Sequence, residues 1–273
     1  MKILSIDTSS NICGVSILED KKLIVKSDIN TGRTHSENLM PLIKQTLSEQ
    51  NLKLSDINLI SCDIGPGSFT GIRIGISAAK AFHDSLNIPY VGVSSLETLA
   101  YNTLSENCKY VCSIINCNHN NCYFALYEKQ NDSFNTLISP EADEITSALC
   151  ILSSYYNDNL NNNSLLFVGD GSDIYKEQIQ SFFTNAQFAK KEYNCLNSYS
   201  LGLAGFNNSY KGSNYYELLP LYLKKPQAQI QLEKKLQNNW AKNNKRMDDI
   251  YENRKNDINR FKYNKRNFIY WIW

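Results

Sequence analysis

The chain has 273 residues, 42% hydrophobic and 20% charged, with a net charge of +1. This composition excludes wholesale disorder, and at about 150 residues per domain the length corresponds to one large or two small domains. The absence of any apolar run of about 18 residues predicts no membrane-spanning helix, and the early charges predict no signal peptide and a cytoplasmic protein. Charge is uneven: residues 238–273 carry nine Lys/Arg against four Asp/Glu, a local +5, which leaves −4 on the rest. A body of −4 is a poor grip for a polyanion such as nucleic acid.

In chain order, Ile3–Asp7, Cys13–Leu18 and Leu23–Ser27 read as three short strands in an antiparallel meander. Thr34-His35-Ser36-Glu37 has a capping-box pattern ahead of Leu39, Leu42, Ile43 and Leu47 at helical spacing. Pro41 predicts a kink there, or a helix that begins near Asn38. A strand over Asn58–Asp63, a glycine loop over Gly65–Gly71, a helix over Ile72–Leu86 and a strand over Pro89–Val93 follow. Ser94-x-x-Glu97 opens a capped helix through Tyr101. The polar residues 102–108 mark a lobe boundary. Beyond it the pattern gives a hairpin over 110–127, a helix over 143–154, a loop over Asn157–Asn163, a strand over Leu165–Val168, a helix near 172–183 and a last helix over Asn197–Tyr210. The loose recurrence of meander, helix, strand and helix predicts two related α/β lobes.

Asp7-Thr8-Ser9 ends the first strand inside a tight turn. A carboxylate there suits a metal-bound water and the turn amides suit a phosphate; the alternative is an Asx-type turn in which Asp7 caps its own backbone. Gly65, Gly67 and Ser68 open a loop between strand and helix, where backbone amides attract anions, although tight packing alone also calls for glycine there. Gly71, Gly75 and Ala79, widened by Ala78, make a smooth stripe that admits a second helix closely, either the 39–47 helix or one from another chain. Cys108, Cys112, Cys117 and Cys122 have zinc-like spacing, yet strand alternation sends neighbouring cysteines to different faces and favours plain packing. His35, His83 and His119 are far apart, and no His-based hydrolase pattern exists.

The segments Met1–Ser9, Thr34–Ile43, Gly65–Gly75 and Pro89–Ala100 closely resemble the TsaB family, the dimerisation subunit of the bacterial tRNA threonylcarbamoyladenosine machinery and a paralogue of TsaD. The likeness is strong over residues 1–101 and weaker to about 226, where Leu219-Pro220-Leu221-Tyr222-Leu223-Lys224 looks like the family ending. It implies an actin/Hsp70-like (ASKHA) α/β fold with two lobes of mixed sheets flanked by helices, over residues 1–104 and 105–226, followed by an atypical basic extension over 227–273. It also implies a scaffold with no catalytic residue, metal or cofactor of its own, required for modifying N6 of the adenosine 3′ of the anticodon in ANN-decoding tRNAs. ATP and a metal ion would belong to the partners, a TsaD-like catalytic subunit and a TsaE-like ATPase, and tRNA would be met through the complex; a homodimer of the chain alone is also conceivable.

Where the catalytic relative carries Val-Asn-His-x-x-x-His, this chain has Val93-Ser94-Ser95-Leu96-Glu97-Thr98-Leu99, so Ser95 and Leu99 replace both histidines. In the second lobe Asn116 stands where actin-like ATPases carry an aspartate. Asp7, Thr8, Ser9, Gly65, Gly67 and Ser68 are the candidate nucleotide or anion site. In the family the first two long helices pack against the partner, which implies a partner surface made of Leu39, Ile43, Leu47, Gly71, Gly75, Ala78, Ala79 and Phe82. The basic residues from Lys242 to Arg266 could touch tRNA phosphates, against the plainer readings of a helix folded back on the body or a frameshifted end. The competing functions are a stand-alone actin-like ATPase or kinase, and a glycoprotease-like peptidase.

Overall fold

The computed structural model describes residues 1–30, 34–159, 165–210, 218–224 and 235. Its first half is β1 (Lys2–Asp7), β2 (Ile12–Glu19), β3 (Lys22–Asn30), α1 (His35–Glu49), β4 (Leu59–Asp63), α2 (Phe69–Leu86), β5 (Tyr90–Val93) and α3 (Ser95–Tyr101). The second is β6 (Tyr110–Asn116), β7 (Asn121–Gln130), β8 (Ser133–Glu144), α4 (Ile145–Asn159), β9 (Leu165–Val168), α5 (Asp170–Ile174), α6 (Lys176–Phe182), β10 (Gln187–Phe188) and α7 (Ser198–Ser209). The two five-stranded sheets have orders β3-β2-β1-β4-β5 and β10-β9-β6-β7-β8. Read from the third strand of each half, the order is the same, so the recurrence legible in the sequence is a structural duplication. Each sheet is mixed: the meander is antiparallel, and the strands after the first long helix pair parallel.

Apolar alternation sorts the side chains into three cores. Leu4, Ile6, Val15, Ile17 and Ile60 of the first sheet bury against Leu39, Ile43, Ile72 and Ile76 of α1 and α2. On the far side, Cys112, Ile114, Phe124 and Phe167 bury against α4 and α6. Between the sheets lie α3 and α7, with Leu99 and Tyr101 facing Val111, Tyr127 and Leu201. α7 packs on the first sheet although it follows the second, and α3 packs on the second although it follows the first. This crossing joins residues Met1–Lys224 into one compact unit. α7 approaches the first sheet closely because Gly202 and Gly205 carry no side chain: a Cβ at Gly202 would meet Leu18 and Ser5, and one at Gly205 would overlap Ser61. Serines Ser5, Ser16 and Ser61, side by side across three strands, leave room for it.

Four local expectations need correction. α1 begins at His35 and runs through Pro41, because that residue sits on the exposed face, where the carbonyl its ring leaves unbonded can meet water. Thr34 makes no side-chain cap; instead the Asn38 side-chain amide donates to Thr34 O and Oγ1 at 2.7 and 2.8 Å. The sequence predicts no strand between the 110–127 hairpin and the 143–154 helix; β8 is a 12-residue edge strand there, which takes up the first two positions of that helix and tolerates Pro140 because no neighbour needs its N–H. The helix near 172–183 is two short helices, α5 and α6. Among the described residues no helix is long and apolar enough to cross a membrane. The basic residues of segment 238–273 lie outside the described residues.

Candidate functional site

Parallel pairing of β1 with β4 sets Ile6 opposite Cys62, so the next residues, Asp7 and Asp63, stand side by side at the strand ends. Both are buried. Asp7 Oδ1 accepts from the Ser9 backbone N–H at 2.9 Å and from Ser9 Oγ at 2.8 Å. Asp63 Oδ1 accepts from Gly65 N at 2.7 Å and Ser95 Oγ at 2.8 Å, and Ser95 Oγ lies 3.3 Å from Ser9 Oγ. The second oxygen of each carboxylate has no partner. Burial pushes the Asp7 carboxyl up to about 6, against the pull of its Ser9 bonds; Asp28 adds to the rise and His35 opposes it. Asp63 is pushed well above the ordinary carboxylate range, first by burial and then by Asp7.

The turn and the glycine loop are closed on each other. Ser68 N donates to Ser9 O at 2.7 Å, and Thr8 Oγ1 donates to Gly71 O at 2.7 Å. A Cβ at Gly67 or Gly71 would overlap the Ser9 or Thr8 carbonyl oxygen, so these glycines exist for close backbone approach. Gly65 adopts a φ of +99°, which also calls for glycine. The structure therefore brings Asp7, Thr8, Ser9, Gly65, Gly67 and Ser68 together. However, two of the donors an anion would use, Gly65 N and Ser68 N, are given to Asp63 and Ser9. Asp7 has the Asx-turn geometry that was the plainer of its two readings.

Beside this closed turn lies a cleft of about 700 Å³ between the lobes, walled on one side by Ser9, Ser10, Pro66 and Gly67 and on the other by Asn116, Cys117, Tyr123 and Asp170. Asn116 stands in the second half where Asp7 stands in the first. Its Oδ1 accepts from Tyr175 OH at 2.8 Å, and its backbone N–H donates to Asp170 Oδ1 at 3.0 Å. Burial raises the Asp170 carboxyl above its ordinary value. Ser95 donates to Asp63, and Leu99 packs in the inter-sheet core at the edge of the cleft. Cys108 packs in the inter-sheet core and Cys112 and Cys122 in the outer one, so the four cysteines do not converge. Among the described residues no three metal-ligating side chains come together. Sequence reasoning missed Asp63 and Asp170 as site residues; Asp63 ends a short buried strand two residues before Gly65, and Asp170 sits between Gly169 and Gly171 just after another, and that was the available signal.

The partner surface read from the sequence is misplaced. Leu39, Ile43, Leu47, Ala79 and Phe82 are buried against the chain's own first sheet, as are Gly71 and Gly75. A Cβ at Gly75 would sit 2.6 Å from Thr8 Oγ1, so the small-residue stripe admits the turn that follows β1 rather than a foreign helix. Only Ala78 is half-exposed. Helical spacing marks the face that is covered, and here the cover is internal. The outward faces of the same helices present Met40 and Lys44 on α1, and Ile74, Ser77, Ala78 and Ala81 on α2.

A family model described as TsaD, tRNA N6-adenosine threonylcarbamoyltransferase, matches residues 27–232. The chain is 27% identical over 231 residues to the tRNA threonylcarbamoyladenosine biosynthesis protein TsaB of Bacillus subtilis, across 84% of this chain and 96% of that one. With the TsaB of Escherichia coli it shares 32% identity over 133 residues, 48% of this chain and 57% of that one. The solved structure of YeaZ from Pseudomonas aeruginosa superposes with a TM-score of 0.66 at 23% identity, over 81% of this chain and 99% of that one, and carries the fold.

Proposed function

The chain belongs to the TsaD family, with TsaB proteins as its curated relatives, and from that premise we propose that it is the non-catalytic scaffold subunit of a tRNA threonylcarbamoyladenosine-forming complex. One observation carries the non-catalytic part. The turn that would hold a metal-nucleotide in an actin-like ATPase is filled by its own chain: Ser9 caps Asp7, and Ser9 O takes the Ser68 amide. The second lobe supplies an amide, Asn116, already engaged by Tyr175. A carboxylate with one oxygen taken up in its own turn, and an amide in place of its counterpart, give a poor hold on a divalent cation.

In this reading the partners are a TsaD-like catalytic subunit and a TsaE-like ATPase, which bring the nucleotide and metal chemistry, and the complex meets tRNA in the cytoplasm. The docking face is the outward side of α1 and α2, around Ile74, Ser77, Ala78 and Ala81, where the small serine and alanine side chains allow a partner helix to come near. When the chain is alone, the same face could serve a homodimer. A stable pair would bury roughly 1,200–2,000 Å² in total.

The test is light scattering on a sizing column with the TsaD relative of the same genome, followed by reconstitution with the TsaE relative, threonylcarbamoyl-adenylate and an ANN-decoding tRNA. A one-to-one complex, and modified nucleoside only when this chain is added, support the reading. ATP turnover by this chain alone would replace it with the stand-alone ATPase.

A further inference from the structure

The segment Leu218–Lys224 touches both walls of the cleft. Leu218 is buried in the first sheet's core, and Leu221 N donates to Ile64 O at 2.8 Å, next to the glycine loop. Tyr222 stacks on Phe69 at 4.9 Å between ring centroids, and its hydroxyl accepts from Arg73 Nε at 2.6 Å. Two residues later the chain has reached the other lobe. Lys224 Nζ donates to Cys117 Sγ at 3.0 Å and lies 6.0 Å from the centroid of the Tyr123 ring. Cys117 and Tyr123 line the cleft opposite Pro66 and Gly67.

We infer that residues 218–224 are a clasp that fixes the opening of the inter-lobe cleft, with Tyr222 as its anchor on the glycine-loop wall and Lys224 as its anchor on the hairpin-turn wall. The two lobes meet through α3 and α7 and leave the cleft on one side, and a segment fastened to both of its walls restricts how far they can rock apart there. Each fastening is modest: an aromatic stack on Phe69 with one hydrogen bond from Arg73 on one side, and an ammonium–sulfur contact beside the Tyr123 ring on the other. Such fastenings open locally without global unfolding. The inference does not rest on the scaffold reading, since it concerns the chain alone.

Hydrogen exchange on the full chain tests it, because a clasp transmits and a local contact does not. Tyr222→Ala should speed exchange about threefold or more in the opposite turn, Asn118–Cys122, and Lys224→Met should do the same in Gly67–Thr70. α4, on the outer side of the second sheet, should stay unchanged in both. Should Tyr222→Ala fail to fold, Tyr222→Phe, which loses only the Arg73 bond, gives the same readout. Faster exchange confined to the mutated side overturns the inference. So does a rise across the whole chain including α4, since the segment would then be ordinary core packing.

Discussion

Asp7→Asn is the most informative single change. The carboxyl has an ordinary value of 3.8 and is pushed up to about 6 by burial in the fold. The native state therefore binds more protons than the unfolded chain between those values. Asp7's contribution is fully present below about pH 4 and is lost as pH rises through about 6. Roughly two units at 1.36 kcal/mol each make this on the order of 3 kcal/mol. Asparagine keeps the oxygen that accepts from Ser9 and cannot ionise, at the cost of an unpartnered amide of about 1–3 kcal/mol at every pH. The stability difference, variant minus wild type, should then climb by about 3 kcal/mol between pH 4 and 7.5 and flatten above that. Urea unfolding across that range measures it, and carboxylates remote from Asp7 cancel in the difference. Asp63, whose carboxyl is raised by Asp7, will broaden the climb. A flat difference curve would mean that Asp7 ionises in the fold as it does in the open chain, and the desolvation reasoning would fail.

Other outcomes follow from the packing. Gly205→Ala should lower stability by about 1–3 kcal/mol in urea melts through overlap with Ser61, and adding Ser61→Gly should recover part of it, which a helix-propensity effect would not allow. Ala78→Arg with Ala81→Arg should abolish the complex with the TsaD relative on a sizing column while leaving the melt nearly unchanged. Ile43→Ala should do the reverse, costing about 2–5 kcal/mol as a core truncation while the folded fraction still binds.

The duplicated α/β fold was legible because short apolar strands, a capped helix and glycine loops recur locally, and each such signal spans only a few residues. β8 was hidden because an edge strand tolerates Pro140 and polar residues on both faces. Asp63 was hidden because its importance comes from a neighbour 56 positions earlier, brought alongside by the β1–β4 pairing. The partner surface was misread for a different reason. Gly71, Gly75 and Ala79 do mark a close approach, but periodicity cannot say whether the approaching backbone is the chain's own, and here it is Thr8.

On the proposed non-catalytic reading, the duplication separates two ways of losing ATP chemistry. In the second half an amide, Asn116, occupies the carboxylate position; in the first the carboxylate is kept but enclosed. If the amide alone were responsible, Asn116→Asp would restore a hold on metal-nucleotide and give ATP turnover. The geometry argues otherwise. A carboxylate at 116 would sit beside Asp170, whose side chain already bonds the residue's backbone N–H, and like charges there would raise the Asp170 carboxyl further. Asp7 would still be capped by Ser9, with Ser9 O still holding the Ser68 amide. Asn116→Asp should therefore bind no magnesium-ATP by calorimetry and release no phosphate. Turnover in that single variant would show that the closed turn opens readily and that the second lobe alone silenced the site.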